Sequence, residues 1–201
     1  MAPACPGPGS PPGPKLSGVS DQWPQETPEE ERRRRAPGGP SFTHDDNGVT
    51  FLIVCGGGRA VWTDLRIRAE QALGRRVHVV ATPTAAGWLD PTAIEALTGF
   101  PLRSAMPGPL VPIFEPLACR VLASPVTLNT LTKWAAGHSD NLAISLLCEA
   151  TGAGIETRAE ISLSVAYAAH PAVGEALTRL RTMGVLLSPV AGGLPLPLPP
   201  G

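Results

Sequence analysis

The sequence predicts an α/β protein: a three-layer, Rossmann-like doubly wound sheet, mostly parallel, in a single domain with a disordered N-terminal tail. Three observations predict it. Short apolar, β-branched runs alternate with helix-length amphipathic stretches from Val49 onward. The first run, Val49 to Cys55, has no polar residue after Thr50, as expected of a central parallel strand covered on both faces. Turns rich in glycine or threonine follow the runs, and strands that alternate with helices imply a parallel sheet with helices on both faces.

Taken in order, the strand from Val49 to Cys55 leads into a glycine turn, Gly56, Gly57 and Gly58. Val61 to Leu73 then reads as a helix, with apolar residues at Val61, Leu65, Ala69, Ala72 and Leu73, and Gly74 stands where a helix C-cap would. Val77 to Ala81 is the second strand. After Thr82-Pro-Thr-Ala-Ala86 a further helix starts beyond Asp90, with Pro91 at its first position. Pro107, Gly108, Pro109 and Pro112 make Leu102 to Glu115 a loop. Arg120 to Ala123 is the third strand, and Leu131 to Glu149 supplies helix broken near Gly137. Glu160 to Ala166 reads as the fourth strand, Pro171 to Met183 as the last helix and Val185 to Leu187 as a last short strand.

Of the 201 residues, 24 are proline and 22 glycine, unevenly spread. Residues 1–47 combine Pro, Gly and Ser with an acidic block, Glu29 to Glu31, that runs into Arg32 to Arg35. Such a segment buries too little apolar area to offset its ordering entropy, so disorder is expected. Residues 190–201, ending Leu-Pro-Leu-Pro-Leu-Pro-Pro-Gly, are expected to be extended in polyproline geometry. Residues 48–189 between these tails form the domain. Sixteen Lys and Arg against seventeen Asp and Glu give a formal charge of -1, which offers no footing for nucleic acid or an anionic membrane. Cys5, Cys55, Cys119 and Cys148 are far apart and read as thiols, not as a metal or disulfide framework. No apolar stretch of about 18 residues exists, and the first residues lack the apolar centre of a signal peptide, so a cytoplasmic location is expected.

Three constellations carry chemistry. Cys55-Gly-Gly-Gly-Arg-Ala60 joins a strand to a helix, where backbone amides can approach a phosphate and the helix dipole favours it; the plain alternative is a connector without a ligand. Thr82 and Thr84 follow the second strand and would share one crevice with that loop in a doubly wound sheet, unless Thr84 merely bonds its own backbone. Pro125-Val-Thr-Leu-Asn-Thr-Leu131 places Thr127, Leu128, Asn129 and Thr130 where the third strand hands over to a helix, with Gly137-His-Ser-Asp-Asn-Leu142 following. A simple helix cap by Thr127 or Asn129 is the plain alternative here.

Together these segments resemble the flavoprotein superfamily of phosphopantothenoylcysteine decarboxylase, the lantibiotic cysteine decarboxylases and the flavin prenyltransferases, with an actinobacterial branch as the nearest likeness. The resemblance spans Val49 to about Pro189. Where the family reads P-x-S-A-N-T-L, Thr127 stands for the serine and Leu128 for the alanine, while Asn129, Thr130 and Leu131 match; Gly137, Asp140, Asn141 and Leu142 match the family's G-L-x-D-N-L. The resemblance implies FMN as cofactor, with Gly56, Gly57 and Gly58 at its phosphate, Thr84 where the family has a phosphate-binding hydroxyl, and Thr127 to Thr130 along the ring system; Thr82 joins that cradle through the shared crevice of the sheet. It also implies homotrimers or larger homo-oligomers, in which Asp140 and Asn141 serve assembly as well as ligand. The implied reaction is oxidative decarboxylation of a small molecule or peptide with a cysteine-like end, with Asn129 as the catalytic residue that positions the substrate.

Two departures stand out. The histidine of the cysteine decarboxylases falls in the stretch Val111-Pro112-Ile113-Phe114, which has none, and Cys119 takes a position where the family has an acidic residue. The family's Pro-Ala-Met-Asn substrate clamp corresponds to Ile161-Ser-Leu-Ser164 before Tyr167, Pro171 and Ala172. Alternatives are a flavin prenyltransferase, for which Lys133 and Arg103 are the nearby cations, and a non-catalytic flavin-binding or assembly module. His138, His78 and His170 read as surface, strand and turn residues, and Trp88 and Trp134 as core residues in preference to flavin-stacking ones.

Overall fold

In the computed structural model, residues 49–189 are described apart from 109, 110 and 117; the tails expected at 1–47 and 190–201 lie outside the described residues. Five strands, β1 (Val49–Val54), β2 (Arg76–Ala81), β3 (Ala118–Val126), β4 (Glu156–Ile161) and β5 (Leu186–Pro189), form one sheet in the order β2-β1-β3-β4-β5. Every pairing is parallel. A one-turn 3-10 helix (Gly58–Trp62) leads into α1 (Thr63–Gln71). The other helices are α2 (Pro83–Ala86), α3 (Pro91–Thr98), α4 (Leu128–Ala135), α5 (Leu142–Gly152), α6 (Val165–Ala168) and α7 (Pro171–Thr182).

Period-two alternation along β1 divides the core. Leu52 and Val54 join Ile67, Val77, Val79, Ile94 and Leu122 under α1 and α3. Phe51 and Ile53 join Val121, Ala123, Leu131, Trp134, Leu146 and Leu177 under α4, α5 and α7. All of β1 is buried, so both its faces are covered and it sits at the centre of the three layers. The chain runs from β1 outward to β2, then returns past β1 to β3. That reversal opens a crevice beyond the C-terminal ends of β1 and β3, the place where doubly wound sheets bind ligands.

The structure corrects four expectations. The helix expected over Val61 to Leu73 begins as a 3-10 turn, and α1 buries Thr63, Ile67 and Glu70, while Val61, Leu65 and Leu73 face solvent. A polar pair made the true inner face hard to see: Glu70 accepts from Arg75 at 2.6 Å. β3 runs on through Ser124 and Pro125 to Val126, with a register shift in its ladder to β4 between Ala123 and Val126, where Pro125 has no N–H to donate. α4 begins at Leu128, three residues earlier than expected, which puts Asn129 and Thr130 inside its first turn. The break after it is real, with Gly137 at φ +76°.

The fourth correction concerns β4, which lies at Glu156–Ile161 instead of Glu160 to Ala166. Its charges disguise it. Thr157, Ala159 and Ile161 point into the core while Glu156, Arg158 and Glu160 line the other face. There Arg120 donates to Glu156 at 2.8 Å, Arg158 donates to Glu156 at 3.0 Å, Ser124 donates to Glu160 at 2.7 Å, and Arg66 also donates to Glu160. The Arg120 guanidinium beside Glu156 holds that carboxyl below its usual range. Val165 and Ala166 instead belong to α6, whose first turn is capped by Ser164 accepting from the Tyr167 amide at 3.3 Å. Arg120 is nearly buried, so Glu156→Gln should cost about 1–2 kcal/mol in urea unfolding, through the cation left underpaired. Arg158→Gln, at an exposed partner, should change stability by less than about 0.5 kcal/mol.

Candidate functional site: the carboxyl rim of the sheet

The loop after β1 is gripped from both sides. A Cβ placed on Gly56 would lie 2.6 Å from Thr84 Cγ2 and 2.8 Å from Thr84 Cβ; on Gly57 it would lie 3.1 Å from Thr127 Cγ2 and 3.9 Å from Pro125 Cγ. On Gly58 it would meet nothing within 4 Å. The loops after β1, β2 and β3 therefore converge on one rim, with bare glycine backbone between two threonines. Both threonines turn their methyl groups towards the glycines. Neither hydroxyl makes a hydrogen bond among the described residues.

Beneath this surface a second set of groups holds the loops. Cys55 is fully buried; burial pushes its thiol up to about 11, against hydrogen bonds from the Thr130 side chain and the Thr127 backbone, so it stays protonated at neutral pH. Thr130 is 1% exposed, and its hydroxyl bears on that thiol while lacking a conventional hydrogen-bond partner among the described residues. Thr82 is buried and caps α2, accepting from the Ala85 amide at 3.4 Å. Thr127 occupies the N-cap position of α4, yet its side chain makes no capping bond, so the first-turn amides of α4 keep their donors. Leu128 is half-buried against the core and Asn129 is exposed. The groups facing outward around the glycines are thus Thr84, Thr127 and Asn129, while Thr82, Leu128 and Thr130 support them from below.

The remaining candidates fall elsewhere. Asp140 pairs with Lys133, whose ammonium holds its carboxyl below the usual range. Asn141 caps α5 by accepting from the Ile144 amide at 3.2 Å, so both residues have local work in the turn. Arg103 donates to the carbonyls of Ile113 at 2.9 Å and Glu115 at 3.3 Å. Both cations considered for a prenyl phosphate are therefore engaged within the fold. Trp134 is core, with its indole N–H donating to Thr151 at 3.0 Å, whereas Trp88 is exposed. His138 is exposed and accepts from the Cys148 thiol through its carbonyl at 3.2 Å; His170 caps α7 by accepting from the Ala172 amide at 3.2 Å. Ile113 and Phe114 pack against the core, with Phe114 edge-on to Phe51 at 5.3 Å. Among the described residues Cys55, Cys119 and Cys148 form no disulfide, and no group of three or more His, Cys, Asp or Glu could hold a metal ion. No described helix is long and apolar enough to cross a membrane.

One cluster escaped the sequence. Arg66, Ser124 and Glu160 meet just below the rim on the α1 side of the sheet, although no spacing links them; the pairing of β3 with β4 and the packing of α1 on that side bring the three together.

No protein-family profile and no curated protein matches the chain. Solved structures do. The FMN-dependent cysteine decarboxylase SpaF superposes with a TM-score of 0.61 at 23% identity, over 70% of this chain and 82% of that one. The chain has the fold of these flavoproteins. A PPC decarboxylase variant complexed with pantothenoylaminoethenethiol gives 0.63 at 18% identity, over 77% and 92%. The epidermin biosynthesis protein EpiD from Staphylococcus aureus gives 0.61 at 17% identity, over 70% and 82%. The flavoprotein fold therefore accounts for the whole described domain, and its switch-point crevice is the rim built from Gly56 to Gly58, Thr84 and Thr127.

Proposed function

We propose that this chain binds FMN at the carboxyl rim, with Gly56, Gly57 and Gly58 and the Thr84 hydroxyl around the phosphate and with Thr127 and Asn129 along the ring system. The observation that carries the reading is the clasped glycine loop: a Cβ at Gly56 would collide with Thr84 and one at Gly57 would press on Thr127, while the hydroxyls of those threonines have no partner among the described residues. Glycine backbone open to close approach, and threonine hydroxyls unpaired among the described residues, suit a phosphorylated ligand at a β1/β3 switch point. The fold likeness to proteins described as FMN-dependent supports the choice of flavin.

The reaction this arrangement serves is oxidative decarboxylation of a substrate with a cysteine-like end. When bound, FMN would supply a two-electron oxidant for the thiol, itself ending reduced, so that the adjacent carboxylate could leave as carbon dioxide. The chain's own part is orientation. Asn129, exposed in the first turn of α4, offers a carboxamide to the substrate carboxylate, and the uncapped α4 amides favour the same negative charge. Homotrimeric or larger assembly and a cytoplasmic setting belong to the same proposal.

A second reading is favoured by one observation. The segment in which the resemblance places a histidine is apolar, with Ile113 and Phe114 packed into the core. Flavin binding without turnover fits that segment. Titrating FMN into the purified protein, with flavin fluorescence as the signal, should show saturable binding at one site per chain; unquenched flavin at every protein concentration would end both readings. Adding a peptide with a C-terminal cysteine, or phosphopantothenoylcysteine, to the loaded protein separates them. Carbon dioxide release marks the decarboxylase, and its absence marks the binding module.

A further inference from the structure

His78 lies at the middle of β2, 3% exposed, in a box of aromatic rings. Phe100 stacks on it at 4.8 Å with the planes 16° apart, and Phe51 lies at 5.1 Å on β1. Its Nε2 sits 3.2 Å from the Pro101 carbonyl, while Nδ1 is buried without a partner among the described residues. A carbonyl can only accept, so Nε2 carries the proton and Nδ1 is the bare nitrogen of a neutral imidazole. A proton added at Nδ1 would bury both a full charge and an unpaired donor.

The segment that supplies Phe100 and Pro101 clips onto the outer edge of β2. The Arg103 amide donates to the Val79 carbonyl at 3.1 Å, and the Ala81 amide donates to the Arg103 carbonyl at 2.8 Å. Farther on, the Met106 sulfur lies 3.8 Å from the Ser145 hydroxyl, which brings the segment against α5. Ala81 directly precedes Thr82 and the rim. Charged groups on the packed elements are Arg76 on β2, stacked on Phe100 at 5.0 Å, Arg103 and Glu115 on the segment and its continuation, Glu95 on α3, and Glu149 on α5. Of these, Arg103 alone bears on the imidazole, and as a cation it opposes protonation.

We propose that His78 is a proton-sensitive latch: while neutral it holds residues Phe100 to Met106 against β2, and proton uptake requires that segment to open. Burial, and then Arg103, lower the imidazole from 6.5 to about 4 in the closed state. The sign follows from linkage. A histidine lowered in the closed form contributes stability that is fully present above its free value and is lost as pH falls from about 6.5 towards 4. The opened segment would also withdraw the support that the Arg103 bonds give to the end of β2, next to Thr82 and Thr84.

Hydrogen exchange of the intact protein between pH 7.5 and 4.5, read at the Arg103 and Ala81 amides with Leu122 of β3 as the reference, tests this. After correction for intrinsic rates, opening at Arg103 and Ala81 should rise at least tenfold over that range. It should also stay more frequent than opening at Leu122 and depend only weakly on low urea, as a local event does. In His78→Phe, or in His78→Leu if the first variant folds poorly, that pH dependence should vanish. Exchange at Arg103 that matches Leu122 in free energy and urea dependence at every pH would overturn the proposal, as would a pH dependence that survives in the variants.

Discussion

Gly56→Ala should abolish useful flavin binding while Gly58→Ala leaves it nearly intact. The two positions differ by two residues and by everything around them: the added methyl at Gly56 would sit 2.6 Å from Thr84 Cγ2 and 2.8 Å from Thr84 Cβ, and at Gly58 it would find open space. Because one of the crowded atoms is a Cβ, a rotamer change cannot clear it, and the α2 backbone has to move. Overpacking of this kind costs about 1–3 kcal/mol, and the same shift displaces Thr84, whose hydroxyl the proposed site needs at the phosphate. FMN affinity is expected to fall at least 30-fold in Gly56→Ala and less than threefold in Gly58→Ala, by fluorescence titration. Adding Thr84→Gly to Gly56→Ala removes both crowded atoms and should recover most of the lost stability. The affinity should stay low, because the hydroxyl has gone as well.

The largest loss of stability is expected at Trp134. Its ring is 2% exposed on the inner side of α4, and its N–H donates to Thr151 near the end of α5, so it fastens the helix that presents Thr127 and Asn129 to the helix behind it. Trp134→Ala combines lost burial, a cavity and an abandoned hydroxyl, about 3–5 kcal/mol in all. For a domain of this size that corresponds to a fall in Tm of about 10 °C or more, by calorimetry or circular dichroism. Trp134→Phe keeps most of the packing and gives up the hydrogen bond, so it should cost about 1–2 kcal/mol. If Trp134→Ala left the melting temperature unchanged, α4 would not be held in the way the structure shows.

Residues that obeyed a simple period disclosed themselves in the sequence. β1 reads as a buried strand because nothing polar interrupts it after Thr50, and α3 reads as a helix because Asp90 and Pro91 open it, with Asp90 accepting from the Thr92 and Ala93 amides at 2.9 and 3.2 Å. The α1 face was hidden because the helix buries Thr63 and Glu70 while it exposes Leu65. β4 was hidden because its outward residues are charged, and their partners, Arg120, Ser124 and Arg66, come from distant parts of the chain. The convergence of Gly56, Thr84 and Thr127 followed from topology: once three successive strands are parallel and the order reverses between β1 and β3, the turns after them must share a rim. Which hydroxyls face outward did not follow. Thr82 and Thr84 are two residues apart in one turn, and only the start of α2 at Pro83 decides that the first caps a helix and the second meets the glycines.

The most direct test is a structure of the full chain with FMN bound. The phosphate should lie against the Gly56 to Gly58 loop and within hydrogen-bonding distance of the Thr84 hydroxyl, with the ring system against Thr127 and Asn129. A phosphate held elsewhere, or a rim that stays closed to flavin at saturating concentration, would contradict it.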